Sequence, residues 1–276
     1  MTVFLIILCI VIGLVLLFSI LYVLSTRCSG RGKEMRKFRS FAYAHRGLHD
    51  KSKPENSMAA FRAALQHGYG IELDVHLMRD GNLAVIHDSS LKRTAGVDVR
   101  IEDLTAQDLW QYPLEGTPQV IPTFQEVLDL YDGKAPIIVE LKVVGNNQAQ
   151  LCETVCNLLD NYKGLFCLES FDPRAVRWLR KNRPDLLRGQ LSENFFKTNN
   201  TILPWFLKLC LTCQLFNFLS RPDFVAFKFS DRKRLGNFLV KKLWGAGRVC
   251  WTIQTQEDFN TAKKEGWIPI FEDFVP

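Results

Sequence analysis

The chain opens on an unbroken apolar run. From Val3 to Leu24 there are 22 residues without a charge, with only Cys9, Gly13, Ser19 and Tyr22 among the aliphatic side chains and Phe. A helix of that length rises roughly 33 Å and matches the hydrocarbon thickness of a bilayer, so the pattern predicts one transmembrane helix within residues 1–25. A secretory signal has a basic start, an apolar core of roughly 7–15 residues and small residues before its cleavage site. Met1-Thr2 carries no basic side chain and the run is longer, which predicts an uncleaved anchor.

From residue 41 the pattern changes to short β-rich runs alternating with helical periods, as in βα units around a parallel sheet. Strands are predicted at 41–45, 71–76, 136–142, 165–170, 187–191, 223–229, 248–253 and 268–272. Helical stretches at 56–67, 123–132, 148–161, 173–182, 232–244 and 257–265 separate most of them. Eight strands with intervening helices predict a (β/α)8 TIM barrel over 41–276, preceded by the N-terminal transmembrane helix. One further run, 83–87, follows strand two through Arg79-Asp80-Gly81-Asn82. A connection that short makes an antiparallel hairpin, so this arm is expected to rise beside the barrel mouth.

Charge sharpens the membrane reading. Of the formal +6, the stretch Arg27 to Arg39 contributes +5, six Lys/Arg against Glu34, and leaves +1 for the remainder. Residues 26–40 therefore read as a basic juxtamembrane neck, and a nucleic-acid-binding surface is poorly supported. Because all the flanking charge follows the apolar helix, the positive-inside bias predicts a single-pass protein of the cell membrane with its catalytic domain in the cytoplasm. The same charges also suit lipid headgroups. Cysteine usage agrees with a reducing compartment: eight Cys are scattered without a disulfide framework. Cys210 and Cys213 form a lone CxxC flanked by Phe206, Leu207, Leu211 and Leu215, which fits an apolar helix face better than a zinc or redox site.

Candidate chemistry lies where polar residues end the strands, since a barrel's active site forms at the C-terminal ends. Strand one ends in His45-Arg46-Gly47. Strand two reads Ile71-Glu72-Leu73-Asp74-Val75, so Glu72 and Asp74 share one face about 6.6 Å apart. The strand at 136–142 repeats the design and aims Glu140 and Lys142 at the same interior. Three converging carboxylates with room for water suit a hard divalent cation, Mg2+ or Ca2+. His45 and His87, which ends the hairpin arm, stand where an acid and a base could face each other across a phosphate ester.

In order along the chain, His45-Arg46-Gly47, Pro54 to Phe61, Gly70 to Val75, Arg79-Asp80-Gly81, His87-Asp88, Leu91 to Thr94, Ile121 to Phe124 and Glu140-Leu141-Lys142 resemble the glycerophosphodiester phosphodiesterase family. The resemblance covers about residues 41–276 and is weakest between 185 and 247. It implies a metal-dependent barrel that hydrolyses glycerophosphodiesters to glycerol 3-phosphate and an alcohol, in lipid metabolism. Carried over by position, Glu72, Asp74 and Glu140 are similar to the metal ligands, His45 and His87 to the acid/base pair, and Arg46 and Lys142 to the phosphate-binding cations. The resemblance further implies attack by the glycerol 2-hydroxyl and a cyclic phosphate intermediate; His45 is taken as the base and His87 as the acid.

The sequence departs from the family pattern at Ser57 and Met78, where Thr is usual, and at Glu272, where a small residue more often precedes Asp273. The last change bears on the shape of a pocket beside Trp251, hence on the leaving group. Ile202 to Leu219 is apolar apart from Lys208 and reads as an amphipathic helix, either packed on the barrel or dipping Trp205, Phe206, Phe216 and Phe218 into the bilayer. Two alternatives remain open: a lysophospholipase D-type hydrolase of lysophospholipids on the same barrel, and an inactive membrane-anchored binding protein.

Overall fold

The computed structural model describes residues 1–198 and 203–276. Its strands are β1 (Tyr43–His45), β2 (Gly70–Leu77), β3 (Leu83–Val85), β4 (Ile137–Leu141), β5 (Phe166–Ser170), β6 (Arg188–Ser192), β7 (Phe224–Lys228), β8 (Gly247–Ile253) and β9 (Ile268–Phe271). Its helices are α1 (Thr2–Ser25), α2 (Met58–Gln66), α3 (Lys92–Ala95), α4 (Phe124–Tyr131), α5 (Gln148–Leu159), α6 (Pro173–Asn182), α7 (Trp205–Thr212), α8 (Asn217–Ser220), α9 (Leu235–Lys242) and α10 (Gln256–Lys264). All strands but β3 run parallel, and β1 pairs with both β2 and β9, so the sheet closes into the expected eight-stranded TIM barrel. β3 pairs antiparallel with β2, Val75 against Val85, as the short turn requires.

Alternation along the strands sorts the two faces. Ile71, Leu73 and Val75 of β2 and Ile137, Val139 and Leu141 of β4 pack outward against Phe61, Phe124, Tyr131, Leu151 and Val155 of the surrounding helices. Those helices start where their sequences supply caps. Ser57 accepts the Ala60 N–H, Thr123 and Glu126 form a capping box, and Asp172 accepts the Arg174 N–H with Pro173 in the first turn. Ser57 thus keeps the hydroxyl function of the Thr that it replaces.

The inward face is apolar only in its lower half, where Tyr43, Ile138, Cys167, Phe224, Val249 and Ile268 meet. Met35 and Phe38 join them from outside the strands, both fully buried. They belong to a 3-10 turn, Gly32–Phe38, whose buried residues recur at every third position, the period of that helix. Gly32 is needed there because a Cβ would come within 2.2 Å of the Gly245 carbonyl. Tyr43 donates to the Phe38 carbonyl at 3.0 Å, Ser29 to Asp223 at 2.5 Å and Arg31 to the Asp185 carbonyl at 3.0 Å. The basic neck is therefore the floor of the barrel, with its charges outside and Met35 and Phe38 within.

α1 is exposed along its length, and it is long and apolar enough to cross a membrane. Its C-terminal end is docked. The Tyr22 hydroxyl lies 3.3 Å from where a Cβ on Gly236 would stand, and Thr26 accepts from the Trp244 indole at 3.2 Å. Gly236 is in the first turn of α9 and Trp244 follows its last, so α1 descends beside α9 in the same direction. Its free end projects on the side of the strand C-termini.

Between β6 and β7 the expected helix over 202–219 is two helices, α7 and α8, with Gln214 at φ 59° in the break; Ile202 lies outside the described residues. α7 is tied over the barrel rim, because Ser192 donates to the Leu211 carbonyl at 2.8 Å and Thr212 accepts from the Phe195 N–H at 3.1 Å. Cys210 lies in α7 and Cys213 follows it as the cap residue, both half-buried thiols.

Candidate active site

The loop after β1 builds one wall. Arg46 and Asn56 both have φ 53° and Gly47 has φ 84°. At Gly47 a Cβ would come within 2.9 Å of Ala60, so the turn can press against α2 only with glycine there. The turn aims the Arg46 N–H at Glu72 Oε2 (3.3 Å) and its guanidinium at Glu55 (3.0 Å) and Asp74 (3.5 Å). The Asn56 N–H donates to the Arg46 carbonyl at 2.8 Å, and the Asn56 side chain donates to Asp74 Oδ2 at 2.9 Å.

Glu72, Asp74 and Glu140 are buried and bring carboxylate oxygens within 4.8 Å of one another. The pairing register explains why: Asp74 lies beside Glu140, and Glu140 beside Glu169 of β5. Lys142 Nζ bridges the first two, 2.8 Å from Asp74 Oδ1 and 2.7 Å from Glu140 Oε1. Burial raises the Glu72 carboxyl well above the usual range, and the charges of Asp74, Glu140 and Glu169 add to the effect. Asp74 goes the other way. Burial alone would raise it, but Lys142, His87 and Arg46 together hold it well below the ordinary value. Glu169 is driven well up, by burial first and then by Glu140 and Asp74.

These residues fit a hard divalent cation. The donor set is all oxygen, as Mg2+ or Ca2+ prefers. Glu169 Oε2 and Asn56 Oδ1 are buried beside it without hydrogen-bond partners. Burial first, and then the neighbouring carboxylates, raises Glu72, Glu140 and Glu169, and a cation held there would offset both.

Both predicted histidines reach this centre. His45 is hydrogen-bonded through Nδ1 to Glu272, while its Nε2 lies 3.9 Å from Glu72. Burial lowers the His45 pKa, against the opposing effect of Glu272. His87 Nδ1 pairs with Asp88 at 2.6 Å; Asp88 pairs with Arg93 at 2.5 Å, and Arg93 pairs with Glu55 at 2.6 Å. The chain Arg46–Glu55–Arg93–Asp88–His87 thus links the β1 loop to the hairpin arm. Beneath it, buried His76 holds the arm, with Nε2 3.1 Å from the His87 carbonyl and Nδ1 2.8 Å from Glu102. Trp251 stands at the mouth edge-on to Phe171, 5.6 Å between centroids, with Lys228 over its ring at 5.9 Å.

All seven predicted chemical residues therefore sit around one mouth, with Trp251 on its rim. Glu55, Asn56, Asp88 and Arg93 lay within the motifs without a role of their own, Glu272 stood out only as a departure from the family pattern, and Glu169 was not singled out. Glu169 carried the same signal as Glu140, an acid alternating with an inward apolar residue near a strand end, and Glu272 is the position where the family pattern is broken.

Comparison with known proteins agrees with this architecture. A glycerophosphodiester phosphodiesterase of Caldanaerobacter subterraneus is 27% identical over 247 residues, 85% of this chain and 94% of the relative. The rat lysophospholipase D GDPD1 is 33% identical over 144 residues, 48% of this chain and 44% of that protein. Among solved structures, an Oleispira antarctica phosphodiesterase in complex with the product sn-glycerol-3-phosphate matches with TM-score 0.69 at 21% identity, covering 86% of this chain and 94% of that one. The Thermotoga maritima glycerophosphodiester phosphodiesterase matches with TM-score 0.65 at 24% identity, covering 84% and 94%. These two share the fold. Residues 45–276 match the glycerophosphoryl diester phosphodiesterase family, and the chain belongs to it.

Proposed function

We propose that the protein is a membrane-tethered phosphoric diester hydrolase that cleaves glycerophosphodiesters to glycerol 3-phosphate and an alcohol. The observation that carries this reading is the buried oxygen cluster of Glu72, Asp74 and Glu140, flanked by two cations and two imidazoles at one barrel mouth. Glu72, Asp74 and Glu140 would hold one Mg2+ or Ca2+, whose positive charge stabilises the nonbridging phosphate oxygens.

The chain's own groups supply the remainder. Arg46 and Lys142 hold the phosphate; two of the three Lys142 N–H groups face Asp74 and Glu140 and leave one for a phosphate oxygen. Glu272 accepts from His45 Nδ1, which leaves the Nε2 lone pair toward the cluster, and the lowered pKa keeps the ring neutral. His45 accepts the glycerol 2-hydroxyl proton, and that oxygen attacks phosphorus as the bond to the alcohol breaks. His87 gives the departing oxygen its proton. Water then opens the cyclic phosphate, losing a proton to His87 while His45 returns one to the 2-oxygen. The basic residues after α1 favour a cytoplasmic barrel.

Purified full-length chain with glycerophosphocholine and Mg2+ or Ca2+ is expected to release glycerol 3-phosphate, and excess EDTA to stop it. Unchanged turnover in EDTA would remove the metal assignment. Protease added to intact cells is expected to spare the barrel, and digestion without lysis would reverse the orientation.

A further inference from the structure

Outside α1, twelve large apolar side chains of the described residues are exposed, and eight of them fall between Phe196 and Leu243. The sector that carries β7 and the helices on either side of it is therefore the apolar side of the barrel. It is also the basic side. From Asn194 to Thr255 there are ten Lys and Arg against two acids, Asp223 and Asp231, and both acids are buried. The near-neutral balance outside the neck conceals this excess. Lys208, Lys233 and Arg234 make no ion pair with any described residue, whereas Lys197, Lys228 and Arg232 are paired. Exposed apolar side chains edged by unpaired cations suit a partner that is anionic at its face and apolar beneath.

The position of α1 says which part of the sector meets that partner. The Tyr22 hydroxyl and the Gln214 amide come within 3.3 and 3.4 Å of where a Cβ on Gly236 would stand, so α1, the end of α7 and the start of α9 meet on the mouth side. α1 leaves the barrel there. Near its exit Trp205, Phe206 and Leu209 of α7 and Leu235 and Phe238 of α9 are exposed. Lys208 lies on α7, and Lys233 and Arg234 lead into α9. The neck lies at the other end, since Arg31 donates to the Asp185 carbonyl ahead of β6 and Trp244, beyond the end of α9, donates to Thr26. The cations that adjoin the apolar run in sequence are thus held on the floor, away from the end at which the helix departs.

We infer that the mouth-side ends of α7 and α9 form a docking face for the anionic leaflet of the bilayer that α1 enters, and that this face, not the basic neck, makes the contact with lipid headgroups. The inference rests on the membrane-tethered reading above and adds an orientation to it. Trp and Phe side chains settle at the boundary between headgroups and acyl chains, and Lys and Arg beside them meet the negative potential of the leaflet. α7 is held over the rim by the bonds of its Leu211 carbonyl and Thr212 hydroxyl to Ser192 and Phe195. A bilayer on this face therefore brings the catalytic mouth to the headgroup layer, and the neck faces away from lipid.

The test places p-benzoyl-phenylalanine in turn at Phe18, Phe206, Phe238, Leu243 and Lys37 of the full-length chain in nanodiscs of phosphatidylcholine with phosphatidylglycerol. Lipid adducts are read by mass spectrometry after irradiation. All five positions are exposed and outside the catalytic cluster. Adducts are expected at Phe18, Phe206 and Phe238, with none above background at Leu243 and Lys37, which lie toward the floor. Each cation near an anionic leaflet favours contact by a factor of about five. Lys208→Gln together with Lys233→Gln is therefore expected to lower the adducts at Phe206 and Phe238 severalfold and to leave that at Phe18 unchanged. An adduct at Phe18 alone overturns the docking face and leaves the tether standing. Adducts at Lys37 and Leu243 as strong as those at Phe206 overturn the orientation and return the headgroup contact to the neck. Adducts at Phe206 and Phe238 without one at Phe18 overturn the tether and leave the face. Yields unmoved by the two Gln substitutions overturn the anionic leaflet as its partner.

Discussion

Glu169 and Glu140 stand side by side across the β4–β5 pairing, two buried carboxyls in one register, with an oxygen of Glu169 left without a hydrogen-bond partner. A barrel interior tolerates that arrangement only with a neutralising partner, and the ion pairs of Lys142 go to Glu140 and Asp74. Glu72, Glu140 and Glu169 are all raised by burial first. Raised carboxyls hold protons that a cation must displace, so metal affinity is expected to climb as pH rises, with proton release measurable by calorimetry in buffers of different ionisation enthalpy. Glu169→Gln is expected to weaken metal binding about 10–100-fold and to reduce the protons released. An unchanged affinity would place Glu169 outside the metal's influence.

Glu272 gives a second expectation. Burial lowers His45, and the hydrogen bond to Glu272 opposes it. In Glu272→Gln the opposing charge is gone, so the His45 pKa falls further and the acid limb of the kcat profile moves to lower pH. The imidazole also loses the acceptor that fixes its tautomer, and kcat is expected to drop by at least about tenfold. A profile that stays in place or moves upward would contradict the pairing.

The hairpin arm should be acid-labile. Glu102 is lowered to about 2: burial works against this, but the hydrogen bonds from His76 and Ser89 prevail. A depressed carboxylate contributes stability that is present above its ordinary 4.5 and is lost as pH falls toward 2. Glu102→Gln is expected to lower the melting temperature at neutral pH by roughly 2–4 °C, for a loss of about 1 kcal/mol. The gap between wild type and variant should close as pH falls through that window. A gap independent of pH would assign the loss to packing.

The barrel floor predicts where the chain tolerates truncation. Removal of residues 1–25 leaves Met35 and Phe38 in place, whereas removal of 1–40 strips both from the interior. Each is worth about 1.5–3 kcal/mol of burial. A 26–276 chain is expected to melt cooperatively and keep its turnover of glycerophosphocholine, and a 41–276 chain to melt much lower or aggregate. Phe38→Asp in the longer form should reproduce the defect, and equal melting of the two truncations would refute the role of the floor.

Period carried most of the fold. The eight barrel strands and the hairpin strand were read from short β-rich runs, and the six helical stretches from the helical periods between them. Glu72, Asp74 and Glu140 were legible because each repeats an inward acid on a strand whose other face is wholly aliphatic. The floor was not: Gly32, Met35 and Phe38 recur every third residue among Lys and Arg, a spacing that looks like a solvated neck unless a 3-10 turn is considered. Nor were the partners Glu55, Arg93 and Glu272, since ion pairs between residues tens or hundreds apart exist only once the strands close. The break at Gln214 depends on side-chain bonds to Asn217 and Asn237, which the apolar run around it does not announce.

The floor continues directly into α1 through Thr26 and Cys28, both buried, so in the membrane-tethered reading proposed above the helix and the barrel would move together. A tether on a flexible leash lets a catalytic head search the volume around it; this one is mounted like a lamp on a fixed bracket. With α1 in a bilayer, its height and tilt above the lipid would follow those of the helix. Were α1 to span a bilayer, a thicker or thinner one, which a span meets by tilting, would tip the mouth with it, and bilayer thickness would become a setting for the orientation of the active site.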